Sequence, residues 1–464
     1  MNAPNFPSRT RLWCACVVVL CLARGALAGT APATWRAGAA RENITPPAGL
    51  WMTGYASRNK PAEGKAQDLW VKALAFADPA GNRGVLLTLD LCGISRHVSD
   101  TVAAEIGRRH RLPRSAVMTN VSHTHCSPAI EGNLIGIQSL PPDGVAKSVA
   151  YTRELEQKMM RAASDALNAL APATLDWGVD EATFGFNRRE NAEKDVVALR
   201  TAGQLKGPFD PRVPVLAVRG ASGDLRALLI SYACHNTTLS FYQWHGDYAG
   251  SAMVELERRH PGATVLFAIG CGADINPGPR RTPDLADQHG RDLADAADRA
   301  LQKSLTPIAG RFAGAFEDIT LAFARRPTAA QLHEAEVKTQ PNQGMHRAWA
   351  AAVREQMSSR GDKFLEYDFP IQTWRLGNLA VVALGGEVVI DYALRLRREV
   401  GDALWVFGYS TDVMAYIPSE RVLKEGRYEG DTSMVPYGRP SPWAPGLEDK
   451  IVAKTHELLA RTAR

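Results

Sequence analysis

The stretch AVMTNVSHTHCSP (residues 116–128) runs from a largely apolar segment of strand length, residues 116–121, into a His-x-His pair, His123 and His125. The same arrangement recurs along the chain. Residues 227–232 end at Cys234-His235-Asn236, residues 379–384 end at Gly385-Gly386-Glu387, and residues 403–407 lead a few positions on to Tyr416. Residues 85–91 and 264–269 are further runs of this kind. Strands that are apolar throughout, rather than alternating, belong to sheets covered on both faces. Between them, Leu155, Met159, Ala163, Leu167 and Leu170 recur at helical spacing, and residues 285–302, 329–337, 345–357 and 446–463 also read as helices. The pattern predicts an α/β fold of mixed layered kind, with central mixed β-sheets flanked by helices.

Residues just beyond the carboxyl ends of strands line the binding crevice of open α/β sheets. Four strand ends therefore deliver His, His, Glu and Tyr toward one place. Two neutral imidazoles and a carboxylate suit a catalytic zinc site, with a fourth position for water or a weaker ligand such as a tyrosine oxygen. In an extended segment His123 and His125 face the same way, so one can bind metal while the other handles a proton. Each residue alone has a plainer reading: His235 as a hydrogen-bonded structural histidine, Glu387 as a cap on a helix beginning near Val388. Only the combination points to chemistry. Asp247 and Asp274 read equally as groups that orient metal ligands or as turn formers.

Other catalytic patterns are missing. The sequence has no Gly-x-Ser-x-Gly elbow, no phosphate-binding loop and no dinucleotide fingerprint. His333-Glu334 and His456-Glu457 open like a zinc-protease helix, but Val337 and Ala460 stand where the second histidine is needed.

Arg9 and Arg11 precede an apolar run ending in Ala26-Leu27-Ala28, which reads as a signal peptide over residues 1–28 and implies export to a periplasmic or extracellular space. Residues 29–464 then form a single domain with no transmembrane helix. Removal of the signal takes Cys14, Cys16 and Cys21, leaving Cys92, Cys126, Cys234 and Cys271, either as buried thiols or in one of three pairings. Arg9, Arg11 and Arg24 supply most of the formal charge of +5, so the remaining chain is nearly balanced and offers no nucleic-acid surface.

Several segments carry a family resemblance. Ala37-Gly38-Ala39-Ala40-Arg41-Glu42-Asn43-Ile44-Thr45-Pro46-Pro47 and Met52-Thr53-Gly54-Tyr55-Ala56 resemble the amino-terminal pattern of the neutral/alkaline non-lysosomal ceramidases. Asn120-Val121-Ser122-His123-Thr124-His125-Cys126-Ser127-Pro128 is similar to that family's His-Thr-His-Ser-Gly-Pro motif. Asn187-Arg188, Ala415-Tyr416-Ile417-Pro418 and Tyr428-Glu429-Gly430 resemble its later motifs. The resemblance implies that His123, His235, Glu387 and Tyr416 are zinc ligands, that His125 stands near the scissile bond, and that Arg188 and Tyr428 engage the substrate. It implies a lipid N-acyl amide substrate, ceramide-like, cleaved to fatty acid and sphingoid base, with peripheral contact at a membrane surface.

Two departures stand out. Asn276, in Ala273-Asp274-Ile275-Asn276-Pro277-Gly278, replaces a family serine at a catalytic position. Asparagine exchanges hydrogen bonds but is no nucleophile, which favours attack by zinc-bound water. The sequence also ends after residues 446–463 where larger ceramidases continue into an immunoglobulin-like domain. The alternatives are a zinc esterase or amidase for a non-sphingoid substrate, and a binding protein that retains the metal without turnover.

Overall fold

In the computed structural model, strands β1 (Arg36–Asn43), β2 (Trp70–Ala77), β3 (Arg83–Leu89), β4 (Val117–Val121), β5 (Ala171–Glu181), β6 (Arg212–Gly220), β7 (Leu225–Tyr232) and β8 (Thr264–Ile269) form one sheet. Their order is β8-β7-β6-β5-β1-β2-β3-β4, with β8/β7 and β3/β4 parallel and the remaining pairs antiparallel. A second sheet runs β9 (Phe312–Ala322), β10 (Glu366–Leu376), β11 (Leu379–Leu384) and β12 (Leu404–Phe407), of which only β11/β12 are parallel. Residues 1–2, 4–5, 34–134, 140–337 and 343–463 are described. Thr34–Arg464 form one unit, and the expected signal peptide falls almost wholly outside the described residues.

The two sheets pack face to face. Leu74, Phe76 and Met118 of the first meet Trp374, Val381 and Phe407 of the second, and the Phe76 ring stands edge-on to Trp374 at 5.3 Å. Helices α1 (Arg96–His110), α2 (Pro142–Asn168), α3 (Asp247–Arg259) and α4 (Pro283–Gln302) pack on the first sheet or on one another. Helices α5 (Ala329–Val337) and α6 (Gln343–Arg360) form a hairpin with its own small core of Leu332, Ala335, Ala350 and Val353. Helices α7 (Ile390–Val400) and α8 (Leu447–Thr462) cover the second sheet. Local chemistry agrees with these boundaries: Thr282 caps α4 by accepting from the Leu285 N–H at 3.3 Å, with Pro283 in the first turn. The layered α/β expectation holds. The apolar strands are covered by helices on one face and by a second sheet on the other.

One side chain closes the first sheet where the site lies. Asn120, on β4, behaves as a strand partner to β8 at the opposite edge. Its Oδ1 accepts from Ile269 N–H at 2.9 Å, and its Nδ2 donates to Ile269 O at 3.3 Å and to Gly408 O, just past β12, at 2.9 Å. The ends of β4, β8 and β12 are thereby tied together. Asn120→Ala removes these bonds from a fully buried position and is expected to destabilise the fold by about 3 kcal/mol. Thermal or denaturant unfolding measures this; an unchanged midpoint would show that the edges are held elsewhere.

Candidate metal centre

The four strand ends converge. His123 follows β4, His235 follows β7, and Glu387 and Tyr416 are direct partners in a two-residue parallel ladder, Glu387–Val388 with Tyr416–Ile417. The Nε2 atoms of His123 and His235 each lie 3.2 Å from Glu387 Oε2. Tyr416 Oη is 3.3 Å from His235 Nε2. All four side chains are buried.

The tautomers follow from the partners behind each ring. His123 Nδ1 faces the backbone carbonyl of Cys92, and His235 Nδ1 lies 2.8 Å from that of Gly272. Carbonyls only accept, so both Nδ1 atoms carry the proton and both Nε2 atoms turn a lone pair inward. Glu387 Oε1 accepts from the Tyr437 hydroxyl, while Oε2 has no hydrogen-bond donor among the described residues. Three electron-rich atoms, mutually within 4.8 Å, thus share one buried point.

Such an arrangement needs positive charge. Burial disfavours a charged His123, but Glu387 and Cys92 outweigh it and push its pKa up to about 10. Burial and the Arg188 charge hold His235 down at about 4. A proton on His123 serves one imidazole and the carboxylate; a divalent cation serves all three atoms together. A tetrahedron with bonds of about 2.0–2.1 Å has edges of about 3.3–3.4 Å, close to the separations seen. The donor set therefore fits a small divalent metal.

His125 stands to one side, its Nε2 3.1 Å from His123 Nε2. The two rings converge although the backbone is not extended: His123 has φ +59°, in the left-handed region. That costs about 1–3 kcal/mol and is typical of functional sites. Burial and the two neighbouring histidines hold the His125 pKa well below its usual range. The Tyr55 ring meets it edge-on at 4.6 Å, and Gly54 backs it so closely that an added Cβ would lie 2.4 Å from its Cγ. Gly54 also has φ +93°. Gly54→Ala is expected to displace His125 and cut kcat by roughly tenfold or more while metal content holds; unchanged kcat would remove His125 from the reaction.

Arg188 joins the remaining candidates. It donates from Nη2 to Tyr416 Oη at 3.2 Å, from Nη1 to Asn276 Oδ1 at 3.2 Å and from Nε to Glu429 Oε1 at 2.8 Å. Pairing of Gly185–Asn187 with Ile275–Pro277 sets Arg188 beside Asn276. The Tyr428 ring lies 5.2 Å from that of Tyr416. Asp274 orients this corner, accepting from Asn187 Nδ2 at 3.0 Å and Ile390 N–H at 2.9 Å. Asp247 instead holds the loop after His235, accepting from Thr238 and Leu239 N–H. Glu387 is no helix cap: α7 begins at Ile390 with Val389 at the cap position. The four cysteines among the described residues, Cys92, Cys126, Cys234 and Cys271, are free, buried thiols. Tyr437 went unseen in the sequence, because nothing local separates it from an ordinary turn residue, and Glu429 stood there only within the Tyr428-Glu429-Gly430 resemblance, with no role of its own.

The centre forms the floor of a cavity of about 330 Å³ whose other walls include Trp51, Met52, Ile130, Leu134, Leu140 and Met345.

Fold and cluster together define a layered α/β protein with a buried histidine–carboxylate centre opening into a largely apolar cavity. Residues 35–284 match the family described as neutral/alkaline non-lysosomal ceramidase, N-terminal, and the chain belongs to that family. Its members are hydrolases acting on amide bonds, and this chain is an enzyme of that class. A structure described as "Ceramidase complexed with C2" aligns with a TM-score of 0.72 at 18% identity, covering 92% of this chain and 74% of that one. Neutral ceramidase from Pseudomonas aeruginosa aligns with a TM-score of 0.72 at 19% identity, covering 93% and 75% respectively. At such identities the likeness is one of fold. No curated protein matches the sequence.

Proposed function

We infer that this chain is an exported zinc-dependent hydrolase that cleaves the N-acyl amide bond of a ceramide-like lipid. The observation that carries the reading is the meeting of three buried, inward-facing ligand atoms with an apolar cavity. His123, His235, Glu387 and Tyr416 would hold the zinc. Zinc bound there supplies Lewis acidity at the amide carbonyl and acidifies water toward neutral pH. The acyl chain lies against Ile130, Leu134, Leu140 and Met345, where burying each methylene contributes about 0.8 kcal/mol.

The chain's own groups handle charge and protons. Arg188 donates to the carbonyl oxygen as it becomes an oxyanion. Tyr428 donates to the same oxygen. Although the ring is nearly half exposed, desolvation of the hydroxyl and the Glu387 charge push its pKa up, so it keeps its proton to donate. Neutral His125 accepts a proton from the water whose oxygen bonds to the carbonyl carbon. It returns that proton to the amide nitrogen as the C–N bond breaks, releasing a carboxylic acid and an amine. Asn276 holds Arg188 by accepting its Nη1–H; it replaces no nucleophile in this scheme. Export rests on the signal-like residues 1–28, and no helix among the described residues is long and apolar enough to cross a membrane.

Tyr428→Phe is expected to lower kcat about 10²-fold with zinc retained; full activity would remove Tyr428 from the mechanism. The direct test of the reading is turnover of N-acylsphingosine beside N-acylethanolamines, N-acyl amino acids and simple esters. Cleavage of N-acylsphingosine abolished by a chelator and restored by zinc is the expected result. Zinc binding with no turnover across the panel would leave a binding protein.

A further inference from the structure

Beyond Tyr428, on the side of the centre away from the apolar cavity, a second cleft of about 440 Å³ is lined by Arg188, Arg189, Arg280 and Arg427 against only Glu193 and Glu429. Tyr428 lines both spaces, and Arg188, which lines the cleft, donates to the ligand candidate Tyr416. The charges behind the lining do not cancel the excess. Arg281 adds a cation beside Glu193 and Glu425 adds an anion beside Arg189.

The arginines of the cleft are not fully paired. Arg189, its side chain 1% exposed, places Nη1 on Glu429 and Nη2 on Glu425, yet its Nε has no partner among the described residues. Arg280 pairs with Glu193 through Nη2, and its Nε is likewise buried without a partner. Arg427 has no carboxylate partner among the described residues. Among the described residues its side chain makes one hydrogen bond, from Nη1 to the Arg189 carbonyl at 2.7 Å, and its backbone is held at φ +61°. Guanidinium groups bind carboxylate and phosphate oxygens two at a time. An unpaired arginine at the mouth, with buried arginines behind it, suits an anion.

We propose that this cleft receives an anionic group, a carboxylate or a phosphate, on the amine half of the substrate, while the acyl chain occupies the apolar cavity. The proposal rests on the amide-hydrolase reading but departs from a neutral sphingoid amine half: an N-acyl amine carrying a negative charge beyond the scissile nitrogen is bound more tightly than its neutral counterpart. Arg427 and Arg280 are then specificity-determining residues. Because the interaction is largely electrostatic and its mouth is open, it weakens as salt rises.

The test uses three ligands with one acyl chain: N-lauroylglycine, N-lauroylethanolamine and N-lauroylethanolamine phosphate. Affinity is measured by calorimetry on the full zinc-loaded chain, and hydrolysis is followed in parallel. The expected result is binding of one anionic ligand at least about tenfold tighter than the neutral one. That ratio should fall toward unity in Arg427→Glu and shrink in Arg280→Ala, and the tighter anion names the source of the charge. A wild type with no preference, or with no binding of any of the three, overturns the proposal. So does a preference that survives both substitutions, since a carboxylate or phosphate would then be held by the metal. A variant whose circular dichroism or zinc content departs from wild type passes its role to the other. Preference in binding without hydrolysis contradicts the hydrolase reading and leaves the cleft assigned; hydrolysis without preference does the reverse.

Discussion

Glu387→Gln is expected to lose its metal and nearly all activity, with kcat/KM falling by more than about 10³-fold. The substitution keeps the shape of the side chain and an oxygen to accept from the Tyr437 hydroxyl. It removes the one negative charge at a point where two imidazole lone pairs also converge. A supporting partner of a ligand typically contributes about 10–100-fold in metal affinity or activity, and a ligand's own charge contributes more. Tyr437→Phe is the matched comparison. It frees Oε1 without touching Oε2, so a loss of about 10–100-fold is expected there. Elemental analysis and kcat/KM on the two variants check the order. Full metal content in Glu387→Gln would mean that the carboxylate only balances a protonated His123.

Arg188→Ala separates substrate activation from metal binding. Three of its five N–H donors reach Tyr416, Asn276 and Glu429. Loss of an oxyanion donor of this kind costs about 10²–10³ in kcat. Glu429 keeps its pairing with Arg189, so the fold is expected to survive. Bound metal should stay near the wild-type level, because Arg188 approaches Tyr416 and none of the other three ligand candidates directly. Arg188→Lys restores charge without the planar fork and should recover only part of the rate. If metal is lost together with activity, Arg188 acts mainly by holding Tyr416 in place.

What is legible in the sequence follows the run-then-polar pattern. The strands leading to His123, His235 and Glu387 are mostly apolar, so their ends and the residues beyond them stand out. Strands β5 and β9 do not stand out. They are half-exposed, and β9 carries Glu317 and Asp318, so their composition resembles that of surface segments. The facing second sheet is equally invisible, since a strand looks the same from sequence whether a helix or another sheet covers it. Tyr437 reaches Glu387 across 50 residues, and Asn120 reaches Ile269 across 149. Neither contact leaves a local signature, for both depend on how distant strand ends are brought together. The backbone at His123 is a smaller case of the same kind: the His-x-His spacing suggests two rings on one side of a strand, whereas a left-handed turn aims them.

The most direct measurement is the zinc content of purified wild-type protein beside His235→Ala. His235 comes from a strand far from those of the other ligand candidates in the chain, and its Nε2 faces Glu387 Oε2. About one zinc per wild-type chain, and a small fraction of that in the variant, is the expected result. Equal zinc in both proteins would contradict the assignment of this centre as the metal site.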